Sequence, residues 1–144
     1  MLNERFVGTW KLVSVEARSS NGEVVYPYGI DPFGMLMYDS DGNMSVLITR
    51  RDRPKFASDD RQRGTPEETK AAFDSSMSYG GTYRIDEEKG TVTHHLEGST
   101  FPNRVGTDEV RLFKFSNNQL LLITPPTPVG GKKLSLHLLW VRTE

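Results

Sequence analysis

The chain contains no cysteine. Disulfides, thiolate catalysis and cysteine-based zinc sites are therefore excluded, although nothing follows about compartment. Net charge is nearly absent as well. Lys and Arg number 18 and Asp and Glu 19, a balance of −1, so there is no basic field to hold a phosphate backbone and no nucleic-acid partner is expected. Apolar runs extend only a few residues, far short of a membrane span. The opening Met-Leu-Asn-Glu-Arg lacks the apolar core of a secretory signal. The expectation is a cytoplasmic protein without a membrane partner. Histidine is scarce: there are three, two of them adjacent at positions 94 and 95.

The 144 residues suffice for one domain with a full core and are too few to expect two, so residues 1–144 are read as a single unit. Alternating apolar and polar residues dominate, and alternation marks half-buried strands. From Gly8 the run Thr-Trp-Lys-Leu-Val-Ser-Val-Glu puts Trp10, Leu12, Ser14 and Glu16 on one face. Gly34–Asp39 and Asn43–Thr49 flank Asp41-Gly42, a strong hairpin signal. A two-residue loop there would set Met37 opposite Val46 and Met35 opposite Ile48. Tyr79–Asp86, Thr91–Gly98, Asp108–Phe115, Gln119–Thr124 and Leu134–Arg142 complete eight strands. One helix is expected, capped by Thr65 with Pro66 in its first turn and Glu67-Glu68 complementing its dipole.

The connections alternate in length. Tight turns at Asp41-Gly42, Glu88-Lys89-Gly90 and Asn117-Asn118 separate longer links. In up-and-down order every tight turn falls at one end and every long link at the other. That pattern predicts an all-β, eight-stranded antiparallel barrel with a closed end and a loop-rich open end. The long segment 50–78, with its helix, would lie at the open rim as a candidate lid.

Gly8-Thr9-Trp10, Asp31-Pro32-Phe33-Gly34-Met-Leu-Met-Tyr38, Tyr79-Gly-Gly-Thr-Tyr83, Thr93-His94-His95, Pro102-Asn103, Gly106-Thr107 and Val110-Arg111 together resemble the small lipocalin-like domain proteins of bacteria and fungi, over essentially the whole chain. The resemblance implies the barrel. It also implies a structural closure in which Trp10 of the first strand packs under Arg142 of the last. About function it implies little beyond an association of a few members with secondary metabolism.

Inward faces follow from cost. Lys114 is too expensive inside a barrel, which turns Arg111, Phe113 and Phe115 inward and Val110 and Leu112 outward. The same argument turns Tyr83, Trp10 and Glu16 inward. With Glu88-Lys89-Gly90 as a three-residue loop, Tyr83 pairs with His95; a four-residue loop would instead put His94 beside Tyr83. On the three-residue reading, Tyr79, Tyr83, His95 and Arg111 line one wall, Leu136, Leu138 and Trp140 close the lumen, and Glu16 sits near the rim.

A buried Arg needs an anionic or carbonyl partner, and an imidazole can donate or accept a proton near neutral pH. The expected ligand contacts are Tyr79, Tyr83, His95, Arg111, Phe113, Glu16, Leu138 and Trp140. The expected function is binding of a small, largely apolar molecule carrying a polar or anionic group, by a monomer or homodimer. One alternative is an isomerase or cyclase of secondary metabolism using His95 as base and Arg111 to stabilise an enolate. A second is an interaction module whose barrel is filled by its own side chains. Adjacent strand residues point to opposite faces, so His94 and His95 cannot share a metal ion; neither a metal nor another cofactor is expected.

Overall fold

The computed structural model describes residues 2–143, with side chains from residue 4 onward. A short helix α1 (Leu2–Phe6) leads into β1 (Gly8–Arg18), followed by the two-residue β2 (Val24–Val25), β3 (Phe33–Tyr38) and β4 (Asn43–Thr49). Helix α2 (Pro66–Asp74) precedes β5 (Ser76–Asp86) and β6 (Thr91–Ser99). A 3-10 turn at Pro102–Arg104 leads to β7 (Asp108–Ser116), β8 (Gln119–Ile123), the short β9 (Thr127–Val129) and β10 (Lys132–Arg142). Strands β1, β3, β4, β5, β6, β7, β8 and β10 pair antiparallel in that order, and β10 returns to β1, closing an eight-stranded barrel. The small β2 and β9 extend β1 and β10.

Turns at residues 39–42, 87–90 and 117–118 close one end. The links carrying β2, α2, the 3-10 turn and β9 all lie at the other. The closed end is sealed from inside by Phe6, fully buried, whose ring meets Tyr38, Phe113 and Phe115 edge-on at 5.3, 5.0 and 4.9 Å between centroids. Trp10 donates its indole N–H to the Phe6 carbonyl at 2.9 Å. The Arg142 guanidinium lies 4.3 Å over the Trp10 ring and donates to the backbone carbonyls of Val7, at 2.7 Å, and Arg5.

Helix α2 is built by a capping box. The Thr65 hydroxyl accepts from the Glu68 amide at 3.1 Å, and the Glu68 carboxylate accepts from the Thr65 amide at 2.9 Å. No residue of α2 is buried. It is tied to the rim through Arg53, which donates to the Ser75 hydroxyl and the Ala72 carbonyl at 2.9 and 3.1 Å.

Three strands present faces other than those expected, each through a single residue. Between β3 and β4 the loop is three residues, Ser40 to Gly42: the Asp39 carboxylate accepts from the Asp41 and Asn43 amides, and Gly42 takes φ 92°. Leu36 then pairs with Val46 and Tyr38 with Met44, so the buried face is Leu36, Tyr38, Met44, Val46 and Ile48, while Met37 is exposed. In β1 a bulge at Val13 shifts the register between Leu12 and Ser14. Beyond it Val15 and Ala17 are buried, and Glu16 turns outward. Between β5 and β6 the loop has four residues, closing with Asp86 opposite Thr91, and Tyr83 consequently faces His94.

Candidate functional site

The upper half of the barrel is hollow. A cavity of about 590 Å³ opens between α2, the start of β5, the end of β6 and the β8–β10 link. Met77, Leu96, Leu136 and Tyr28 form its walls, Phe73 and Phe101 stand at the mouth, and Tyr79, Glu109 and Arg111 supply polar groups. Phe73 and Phe101 are both roughly half exposed, with ring centroids 6.5 Å apart.

The polar groups come from two strands. On β5, Met77 and Tyr79 pair with Ile48 and Val46 of β4 and face inward. A bulge at Glu97 of β6 falls opposite Gly80-Gly81. A Cβ at Gly81 would sit 1.9 Å from the His95 carbonyl oxygen, so glycine is required there by close backbone approach. On β7 alternation turns Glu109, Arg111, Phe113 and Phe115 inward and exposes Val110 and Leu112. Arg111 and Glu109 approach at 3.7 Å, an ion pair longer than a hydrogen bond. Glu109 also lies 3.3 Å from the Thr107 hydroxyl.

Behind the cavity wall His94 is 1 % exposed and sits between two tyrosines. Its Nε2 lies 2.6 Å from the Tyr38 hydroxyl and its Nδ1 2.7 Å from the Tyr79 hydroxyl. Burial, then the neighbouring Arg111 charge, pulls the imidazole down to about 3, so it is neutral at physiological pH. Burial raises both phenols; for Tyr79 the facing Arg111 guanidinium works in the opposite direction.

Of the residues expected to meet a ligand, Tyr79 and Arg111 line this cavity. Tyr83, Phe113, Leu138 and Trp140 are packed into the interior core instead. Tyr83 donates its hydroxyl to the Asp39 carbonyl at 2.7 Å and stacks edge-on against Tyr38. Among the described residues the Trp140 Nε1 has no acceptor.

Two expectations are overturned. His95 lies on the outer surface, its side chain 42 % exposed, with Nδ1 2.7 Å from Asp108, which also pairs with Arg84 at 3.0 Å. The four-residue loop turned it out. Glu16 lies outside as well, 2.7 Å from Arg18, because of the Val13 bulge. Sequence reasoning missed Tyr38 and Glu109, and it held the inward His94 only as the four-residue-loop alternative, which is the one observed. Glu109 stands two residues before Arg111 on the same strand face, but alternation alone does not license burying a carboxylate there.

A family model described as the lipocalin-like domain matches residues 7–143. The chain belongs to the lipocalin-like domain family. The 4'-hydroxy-3'-methoxypropiophenone carrier protein ppsC of Aspergillus oryzae is a distant relative of this lipocalin-like chain, 27 % identical over 104 residues, which cover 67 % of this chain and 94 % of that protein. A lipocalin-like barrel with a carrier among its relatives supports small-molecule binding in general. Among the described residues no group of three or more His, Asp or Glu side chains comes together as metal donors, and no helix is long and apolar enough to cross a membrane.

Proposed function

We propose that this lipocalin-like protein is a carrier that holds a small, largely apolar molecule with a polar or anionic group in the open half of its barrel. The observation that carries this reading is the cavity itself. Its volume of about 590 Å³ falls within the range of roughly 300–1,000 Å³ typical of small-molecule sites, and its apolar walls with a few convergent polar groups have the usual composition. Burial against Met77, Leu96 and Leu136 would supply most of the affinity, and Tyr79, Glu109 and Arg111 would orient the polar end. The aryl ketone in the relative's name is of a size and polarity that suit such a cup. An open cavity also favours a carrier over a barrel filled by its own side chains. The proton-transfer reading loses its base, because His95 is outside.

Native mass spectrometry of the purified protein would detect a co-purifying molecule, and calorimetric titration with 4'-hydroxy-3'-methoxypropiophenone would supply a first defined probe. Leu136→Trp fills the cavity without touching the closed end. It should abolish binding and leave the melting temperature nearly unchanged. Unaltered binding in that variant would sink the reading.

A further inference from the structure

The polar end of the cavity has a direction, and that direction narrows the ligand class. Resting on the carrier reading, we propose that it recognises an uncharged hydroxyl, a phenol or an alcohol, in preference to a carboxylate, with Tyr79 donating to the ligand oxygen and Glu109 accepting its proton.

The hydrogen-bond inventory of the Tyr38–His94–Tyr79 chain sets the donor. A neutral imidazole has one N–H and one lone pair, so one tyrosine must donate to it and the other accept from it. Tyr38 is 2 % exposed, and among the described residues its hydroxyl has no hydrogen-bonding partner except His94 Nε2. If Nε2 carried the proton, the Tyr38 O–H would be left buried without an acceptor, a desolvation cost with nothing to offset it. The Tyr38 hydroxyl therefore donates to Nε2, Nδ1 carries the hydrogen and donates to Tyr79, and the Tyr79 proton is left to point elsewhere. Tyr79 lines the cavity, so that proton is offered to the occupant. The packed aromatic core thus fixes which way a hydroxyl at the cavity wall is oriented.

Glu109 sets the acceptor and the charge. It lines the same cavity and stands 3.7 Å from Arg111, so the guanidinium is already accompanied by a carboxylate. The four charged residues lining the cavity, Asp74, Arg104, Glu109 and Arg111, are two of each sign. A ligand carboxylate would gain Arg111 and lose against Glu109, whereas a hydroxyl accepts from Tyr79 and donates to Glu109 with no charge introduced. Hydrogen bonds to a charged group are the stronger kind, worth roughly 1.5–3 kcal/mol, or about 10- to 150-fold in affinity.

The test has two independent arms. Calorimetry on the wild-type protein would compare 4'-hydroxy-3'-methoxypropiophenone with its 3',4'-dimethoxy ether and with the analogue bearing a carboxylate in place of the hydroxyl. The hydroxyl compound should bind about tenfold or more tightly than either. In Glu109→Gln the preference should shift toward the carboxylate by at least a comparable factor, a reversal that mere loss of packing would not produce. Equal binding of hydroxyl compound and ether, or tighter carboxylate binding by the wild type, would overturn the proposal while leaving the carrier reading intact. The second arm needs no ligand: long-range proton–nitrogen NMR correlations of the His94 ring at neutral pH should show a protonated Nδ1. A protonated Nε2 would overturn the assigned direction. If no member of the series bound but the protein still carried another molecule removable by Leu136→Trp, the hydroxyl proposal would fall and the carrier reading would stand.

Discussion

The two ends of this barrel are built on opposite principles. At the closed end Phe6, Trp10, Tyr38, Phe113 and Phe115 fill the lumen ring against ring, and Arg142 ties the last strand to the first turn of chain. At the open end the lumen is left hollow, the covering helix buries no residue, and Phe73 and Phe101 stand half exposed at the mouth. Aromatic side chains are used at both ends, but for different purposes. Below, they contribute stability by burial; above, they leave apolar surface that an occupant can cover. A small barrel can thus keep an open cup because the packing is concentrated elsewhere.

The comparison breaks most visibly at Phe6. Phe6→Ala should destabilise by about 3–5 kcal/mol, the range for truncating a buried Phe. Urea denaturation would measure it, and ligand affinity of the folded fraction should change less than twofold. A cost below about 1 kcal/mol would mean that the plug is not the anchor of the closed end. Arg142→Met keeps much of the side chain's length and removes the charge, the two carbonyl bonds and the stack on Trp10. It should cost about 2–3 kcal/mol by the same measurement.

A third effect comes from the boundary between the halves. His94 is depressed to about 3 in the folded state, against an ordinary value of 6.5. Between those values the unfolded chain binds the proton that the folded chain refuses, so stability should fall as pH drops from about 6.5 toward 3 and be regained above 6.5. His137 is also lowered and acts in the same direction, while Asp39, Asp52, Glu68 and Asp108, held below their usual values by hydrogen bonds, lose their contribution only at the acid end of the window. His94→Gln isolates the buried group. It keeps a donor and an acceptor between the tyrosines, and it should flatten the slope between pH 6.5 and 4.5 by on the order of 1 kcal/mol per pH unit. An unchanged slope would mean that His94 is not held neutral.

The smallest stability effect belongs to the rim. Phe73→Ala should change stability by no more than about 0.5 kcal/mol, the usual limit for exposed positions. Ligand dissociation, followed by stopped-flow displacement, should nevertheless quicken several-fold. A large stability loss instead would show that the rim carries packing after all and would erase the contrast between the two ends.

Much of this architecture is legible in the sequence. Alternation and the spacing of turn residues are local signals, and they were enough to place eight strands, the helix capped by Thr65 and the division into closed and open ends. The faces of three strands were harder, because a strand's period is two and one extra residue exchanges inside for outside. Ser40 in the first hairpin, Glu87 in the second and the bulge at Val13 each did this. Their cause lies in side-chain capping such as the Asp39 carboxylate on two turn amides, and in the coiling needed for barrel closure, neither of which alternation records. Arg111 was readable because Lys114 on the same strand could not be buried. Glu109 was not, since a carboxylate inside a barrel is costly unless a guanidinium stands beside it, and that pairing exists only in three dimensions.

The seam between β1 and β10 has a temporal meaning. Arg142 reaches the Val7 carbonyl across 135 positions of chain, while the hairpins at residues 39–42, 87–90 and 117–118 join near neighbours. Distant pairings are the slowest to form. On a ribosome, then, the hairpins can assemble one after another, yet no lumen exists until the final strand has emerged and docked. A chain cut short before β10 would be an open sheet with unpaired edges at β1 and β8 and no enclosed lumen.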